Sequence, residues 1–131
     1  MPGLKGHKMR INSIVYSSDG KTIAGADTSR TIHFWDAQTG ESLRKLKGDI
    51  SKYRSIESFA FSPDGMQLYI GSRWDRGVSV WDLRTNKIVN ILATHTSLVN
   101  CVAIRPDGSQ LASGGWDKNV LLSDTNTHNV A

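Results

Sequence analysis

Short runs of alternating apolar and polar residues, broken by turn clusters, occupy most of the chain. Ile14-Val15-Tyr16, Phe59-Ala60-Phe61 and Val102-Ala103-Ile104 each lead into a turn signal: Ser18-Asp19-Gly20, Pro63-Asp64-Gly65 and Pro106-Asp107-Gly108. Pro and Asp pre-set such turns, and Gly accepts the positive φ they often need. Two strands around a short Asp-Gly loop form a β-hairpin. The three turn aspartates stand 45 and 43 residues apart. A second landmark follows each hairpin. Trp35-Asp36 closes the run Thr31-Ile32-His33-Phe34, Trp81-Asp82 closes Val78-Ser79-Val80, and Ser123-Asp124 holds the same place after Val120-Leu121-Leu122. A further strand follows the first two landmarks, Ser42-Leu43-Arg44-Lys45-Leu46 and Ile88-Val89-Asn90-Ile91-Leu92. No segment of ten or more residues carries a helical period. The pattern predicts an all-β chain in which a unit of four short strands repeats every ~43 residues.

Composition narrows the class. With 131 residues, 38% hydrophobic and 21% charged, the chain suits one ordinary domain with a real core. No run approaches the ~18 apolar residues of a membrane span. The opening Met1-Pro2-Gly3-Leu4-Lys5-Gly6-His7 lacks an apolar signal-peptide core, so the expected location is the cytoplasm, or the nucleus in a eukaryote. Cys101, the single cysteine, lies in the strand-like run Leu98–Ile104 and reads as a small buried hydrophobe. The net charge of +4 permits an acidic partner without demanding one, and no lysine/arginine block marks a nucleic-acid patch.

The ordered set of landmarks resembles the WD40 repeat: a Gly-His start, a Ser-Pro-Asp-Gly turn and a Trp-Asp end. The resemblance covers essentially the whole chain, residues 1–131, as three units at about 6–47, 48–93 and 94–131. It implies β-propeller blades of four antiparallel strands. It also implies a hydrogen-bonded tetrad in each blade, made of a His, a Ser or Thr, an Asp and a Trp. The first unit offers His7 and Trp35, with Gly25 and Ser29 in the Ser and Asp places. The second offers Ser72, Asp75 and Trp81, with Asp49 for the His. The third offers His95, Ser113 and Asp117, with Ser123 for the Trp. A His beside an Asp and a Ser also fits a catalytic triad. Here the structural role explains the same residues, so no catalytic residue, cofactor or metal is expected. His33 and His128 have no partner motif.

Two departures from the repeat point to a binding surface. Extra residues fall in the connection Asp49-Ile50-Ser51-Lys52-Tyr53-Arg54-Ser55 and near Gly71-Ser72-Arg73-Trp74-Asp75-Arg76. By resemblance both loops open on the propeller face most used for partners, and insertions collect on such faces. Trp74 and Trp116 each precede a loop Asp, where the first unit has Thr28. With Tyr53, Arg54, Arg73, Arg76 and Lys52 they would form an aromatic and basic patch; alternatively the tryptophans fold down and seal the blade edges. The patch suits an acidic or phosphorylated peptide or protein. It also suits single-stranded nucleic acid, through stacking and phosphate contacts.

The leading function is therefore a protein-interaction scaffold rather than an enzyme, with nucleic-acid binding as the alternative. The chain ends add a second question. Leu4-Lys5-Gly6 matches Leu46-Lys47-Gly48, and Asn129-Val130-Ala131 matches Lys87-Ile88-Val89. Three blades are fewer than the typical 4–8 of a closed propeller. The chain reads as a piece of a longer propeller or a truncated gene product, as half of a six-bladed ring made by two copies, or as a stable open monomer; as a piece it is either a scaffolding segment of a larger chain or a fragment without function.

Overall fold

The computed structural model describes residues 10–27, 31–46, 56–72 and 77–125, with the side chains of Ser72, Ala93 and Thr94 excepted. Among them are eleven strands and no helix. Strands β1 (Ile11–Tyr16), β2 (Thr22–Asp27), β3 (Ile32–Asp36) and β4 (Ser42–Leu46) form the first antiparallel sheet, in chain order. Strands β5 (Ile56–Phe61), β6 (Gln67–Ser72), β7 (Gly77–Asp82) and β8 (Lys87–Thr94) form the second in the same order. The third holds β9 (Val99–Ile104), β10 (Gln110–Gly115) and β11 (Val120–Asp124). These are blades 1, 2 and 3. The tail matched by sequence to a further strand, Asn129–Ala131, lies outside the described residues.

The Asp-Gly turns form the hairpins that the spacing predicts. Asp64 Oδ1 accepts from the Ser62 hydroxyl at 2.5 Å and from the Met66 amide at 2.9 Å, while the Gln67 amide donates back to Ser62 Oγ at 3.0 Å. Asp19 repeats the arrangement with Ser17 and Lys21. Asp107 turns instead to Ser109, because Arg105 stands where the other blades have Ser. Hydrogen bonds to the ionised carboxylate, led by the serine hydroxyls, hold all three aspartates below the usual carboxylate range. Asp36 and Asp82 bind the turn amides after β3 and β7 in the same manner.

Facing sheets bury apolar side chains against each other at two interfaces. Between blades 1 and 2, Ala24, Ala26, Ile32, Phe34 and Leu46 meet Ile56, Phe59, Phe61, Leu68, Ile70 and Trp81. Phe34 and Phe61 meet edge to face, with centroids 6.0 Å apart. Between blades 2 and 3, Tyr69, Val78, Val80 and Leu92 meet Val99 and Leu111, with Val102, Ile104 and Leu121 packed alongside. In blade 2 the alternation thus serves two interfaces at once, with Leu68 and Ile70 of β6 turned to blade 1 and Tyr69 between them turned to blade 3.

Cys101 departs from expectation: it is exposed, not buried. Within β9, Val102 and Ile104 face blade 2, so Cys101 and Ala103 point to the opposite face. That face has no described sheet against it, and alternation alone does not reveal which face has a neighbour.

The fold predicts that Phe59→Ala, which empties a fully buried site between blades 1 and 2, lowers the free energy of unfolding by about 3–5 kcal/mol. Urea denaturation followed by tryptophan fluorescence checks this, and a loss under ~1 kcal/mol would contradict the packing.

Candidate functional site

The blades present two ends. The Asp-Gly hairpin turns lie at one; the connections from β2 to β3, β6 to β7 and β10 to β11 lie at the other. Trp116 sits in the β10–β11 connection, and 58% of it is exposed. Beside it is a cavity of about 160 Å³ lined by Trp116, Glu57, Leu98, Val99 and Asn100. Glu57 comes from β5 and the others from blade 3, so the cavity lies where blades 2 and 3 meet. For Trp116 the alternative in which the ring folds down and seals a blade edge does not hold.

The turn carrying Trp116 is held from beneath. The Trp116 amide donates to the Leu98 carbonyl at 2.8 Å. Asp117 accepts from the amides of Thr96 at 2.9 Å and Asn119 at 3.0 Å. Its carboxylate also lies 3.0 Å from His95 Nδ1 through each oxygen. On the far side of the ring, His95 Nε2 is 2.9 Å from Ser113 Oγ. These partners assign the proton to Nδ1, donating to Asp117, and leave Nε2 to accept from the Ser113 hydroxyl. The hydrogen bond from His95 is the main reason that the Asp117 pKa falls from 3.8 to about 2. Gly115 makes room for this arrangement: a β-carbon there would lie 2.7 Å from His95 Nδ1 and 2.8 Å from the Leu98 carbonyl oxygen.

The trio His95, Ser113 and Asp117 is therefore joined as the sequence suggested. His95 and Ser113 are 1% and 2% exposed, which withholds the hydroxyl from a substrate and marks a brace, not a catalytic triad. The fourth place remains empty: Ser123, opposite Leu111, is fully buried, and its hydroxyl has no hydrogen-bond partner among the described residues.

Blade 2 requires a correction. Leu68 pairs with Trp81 as Leu111 pairs with Ser123, and Ile70 pairs with Ser79 as Ser113 pairs with Leu121. Ile70, not Ser72, therefore occupies the Ser position of the tetrad, and Ser72 falls two residues beyond it. The residue inserted after β6 hides this register in the sequence. Trp81 is consequently buried with no hydrogen-bond partner for Nε1 among the described residues. In blade 1, Gly25 stands opposite His33 in the equivalent place. His33, which sequence reasoning left without a role, is buried there. Its ring stacks on Trp35 at 4.3 Å, and Nε2 lies 2.6 Å from Ser42 Oγ. An aromatic two residues before the Trp, opposite a glycine, was the available signal.

His7, Asp75, Trp74, Tyr53, Arg54, Arg73, Arg76 and Lys52 lie outside the described residues, so of the aromatic and basic patch only Trp116 is placed. Among the described residues no group of three or more His, Cys, Asp or Glu is arranged to hold a metal ion.

The Asp117 shift sets a pH dependence. A carboxylate whose folded pKa lies below its unfolded value stabilises the fold above the unfolded value, and this contribution is lost as pH falls through the folded one. Denaturation curves should therefore show stability falling between pH 3.8 and about 2. Asp117→Asn should flatten that part of the fall; an identical profile in the variant would contradict the brace.

Comparison with known proteins agrees with this geometry. The family model described as "WD domain, G-beta repeat" matches residues 2–36, 40–82 and 86–124. The chain is similar to MST50-interacting protein 11 of Pyricularia oryzae, 29% identical over 94% of the chain and 52% of that protein. It is also similar to a guanine nucleotide-binding protein subunit beta of Oryza sativa, 31% identical over 89% of the chain and 33% of that protein. Among solved structures, the WD40 repeats of RRP9 superpose with a TM-score of 0.82 at 23% identity, covering 98% of the chain and 39% of that structure. The structure of U3-55K gives the same score at 22% identity, covering 98% of the chain and 40% of that structure. The chain thus spans about half or less of the proteins it matches. By its three matched repeats and its blades, the chain belongs to the WD40 family, whose repeat domains generally serve as non-enzymatic scaffolds for protein interaction.

Proposed function

We propose that this chain binds a peptide or protein segment at the end of the blades that carries Trp116. The observation that carries the reading is the exposed indole beside the inter-blade cavity, on a turn braced by Asp117 and His95. A large ring held on a rigid turn loses little conformational freedom on binding, and tryptophan commonly dominates interface energetics. The partner inserts an apolar side chain between Trp116, Leu98 and Val99. Acidic or phosphorylated residues of the same partner pair with Lys52, Arg54, Arg73 and Arg76, which the sequence places in the connections from β4 to β5 and from β6 to β7. The net charge of +4 favours such a partner without supplying the strong field typical of nucleic-acid binding.

Selection of a random-peptide phage library on the immobilised chain tests the reading. Enriched peptides should lose about 30-fold in affinity for Trp116→Ala, on the order of 2 kcal/mol, while the far-ultraviolet circular dichroism stays unchanged. Peptides that bind the variant equally well would overturn it. So would tight binding of single-stranded oligonucleotides that collapses as salt rises.

A further inference from the structure

The Asp-Gly turns of the three blades are linked side by side. The Ser18 hydroxyl of the first turn donates to the Pro63 carbonyl of the second at 2.6 Å. Pro63 in turn lies against Gly108 of the third, where a β-carbon would stand 2.6 Å from Pro63 Cγ. Next to this contact blades 2 and 3 leave an open hollow of about 310 Å³, roughly ten times the ~30 Å³ share of a molecule in liquid water. The hollow lies at an interior joint, between two sheets that already pack on each other. The same place between blades 1 and 2 is filled. There the registers and turn bonds put Ala24 in the place of Tyr69 and Leu83 in the place of Thr125, and both join the apolar core.

Between blades 2 and 3 the hollow is lined by hydrogen-bond acceptors. Asp64 and Asp107 border it from the two turns, and an ionised carboxylate only accepts. Ser62 gives its hydroxyl proton to Asp64 and Thr125 gives its own to the Gly108 carbonyl, so neither has a proton left to offer. Tyr69 comes up from β6 between them. It is 4% exposed, and its hydroxyl has no hydrogen-bond partner among the described residues. Burial, and after it the charge of Asp64, push the phenol pKa up, which places the hydroxyl near that carboxylate and keeps it neutral. A buried hydroxyl left unpaired is costly, and this one borders the hollow. The chain's own cations stay at the rim: Arg105 Nε is 3.3 Å from Asp107 Oδ2 and Arg84 acts on Asp64 by charge, but both side chains are mostly exposed and neither lines the hollow.

We propose that this hollow takes the guanidinium of an arginine side chain presented by a protein partner, with Asp64 and Asp107 pairing its charge and the Tyr69 hydroxyl accepting one of its N–H groups. Complementarity names the occupant. A guanidinium has five N–H donors and no acceptor, the inverse of a lining made of carboxylates and spent hydroxyls. Its donors are spread over a planar fork, whereas an ammonium holds three on one atom. Two carboxylates are too few for a metal centre, and no group of three or more His, Cys, Asp or Glu stands ready for one among the described residues. The hollow lies at the Asp-Gly end of the blades, so the inference stands apart from the binding end at Trp116.

Nuclear magnetic resonance titration of the nitrogen-15-labelled chain with the blocked peptide acetyl-Gly-Arg-Gly-amide tests this. The amides of Met66, Gln67 and Ser109, which sit on the two turns, should shift and saturate. The lysine counterpart of the peptide should shift them without saturating over the same range. Tyr69→Phe keeps the ring in the joint and removes only the hydroxyl, so it should weaken the arginine peptide about 10-fold while the rest of the spectrum stays in place. Asp107→Asn should weaken it similarly, and Glu41→Gln, an exposed carboxylate outside the hollow, should change nothing. Equal affinity of Tyr69→Phe and the native chain would overturn the proposal. So would saturation by the lysine peptide at the same concentrations, or shifts at the two turns no larger than those around Glu41.

Discussion

Everything in this structure depends on the packing of one sheet face against the next. A four-stranded sheet has two apolar faces and cannot bury either by itself. Blade 2 solves this with a neighbour on each side. Phe59, Phe61, Leu68, Ile70 and Trp81 go to blade 1, while Tyr69, Val78, Val80 and Leu92 go to blade 3. Burial of such side chains is worth about 1.5–3 kcal/mol each, far more than any single turn hydrogen bond at ~1 kcal/mol. The turns fix where the strands reverse, and the faces decide whether the strands hold together. Smaller contacts follow the same seam. Arg44 in blade 1 lies over the Phe34 ring and reaches Asn86 and the Leu83 carbonyl in blade 2, and Ser18 donates to the Pro63 carbonyl.

The candidate binding site inherits its rigidity from this packing. Its cavity exists because Glu57 of blade 2 and Leu98 to Asn100 of blade 3 are brought together. Its indole stays outward because Asp117 gathers the Thr96 and Asn119 amides and the His95 ring under the turn. The polar trio is costly to bury, and full pairing within it offsets that cost. Blade 3 has kept this brace although it lost the tryptophan that would close the set. Blade 2 has kept the tryptophan and lost the serine. Among the described residues, only blade 3 sets such a brace beneath an exposed aromatic.

Much of this was legible in the sequence because the repeat has few degrees of freedom. The Asp-Gly turns located the first hairpin of each blade, and the Trp-Asp positions located the ends of β3 and β7. His95, Ser113 and Asp117 were found as a group because the third unit has no insertion between them. Ser72 was misplaced because an insertion next to β6 let two registers fit equally well, and only the pairing of Ile70 with Ser79 decides between them. Cys101 was read as buried because alternation marks two faces and not which one has a neighbour. His33 escaped notice because its stack on Trp35 and its contact with Ser42 Oγ on the next strand are not part of the repeat's motif. Whether Trp116 points outward also depends on the turn geometry set by Gly115 and Asp117, which composition does not encode.

The central claim is that each blade is stabilised by the sheets on its faces, so the blade covered twice within one chain should be the most protected. Amide hydrogen exchange, followed by mass spectrometry, measures this directly. The account predicts the slowest exchange in β6 and β7, with faster exchange in β1 and β11. Equal protection of β1, β7 and β11 would contradict it, because blades 1 and 3 would then be as stable as the blade that is covered on both faces.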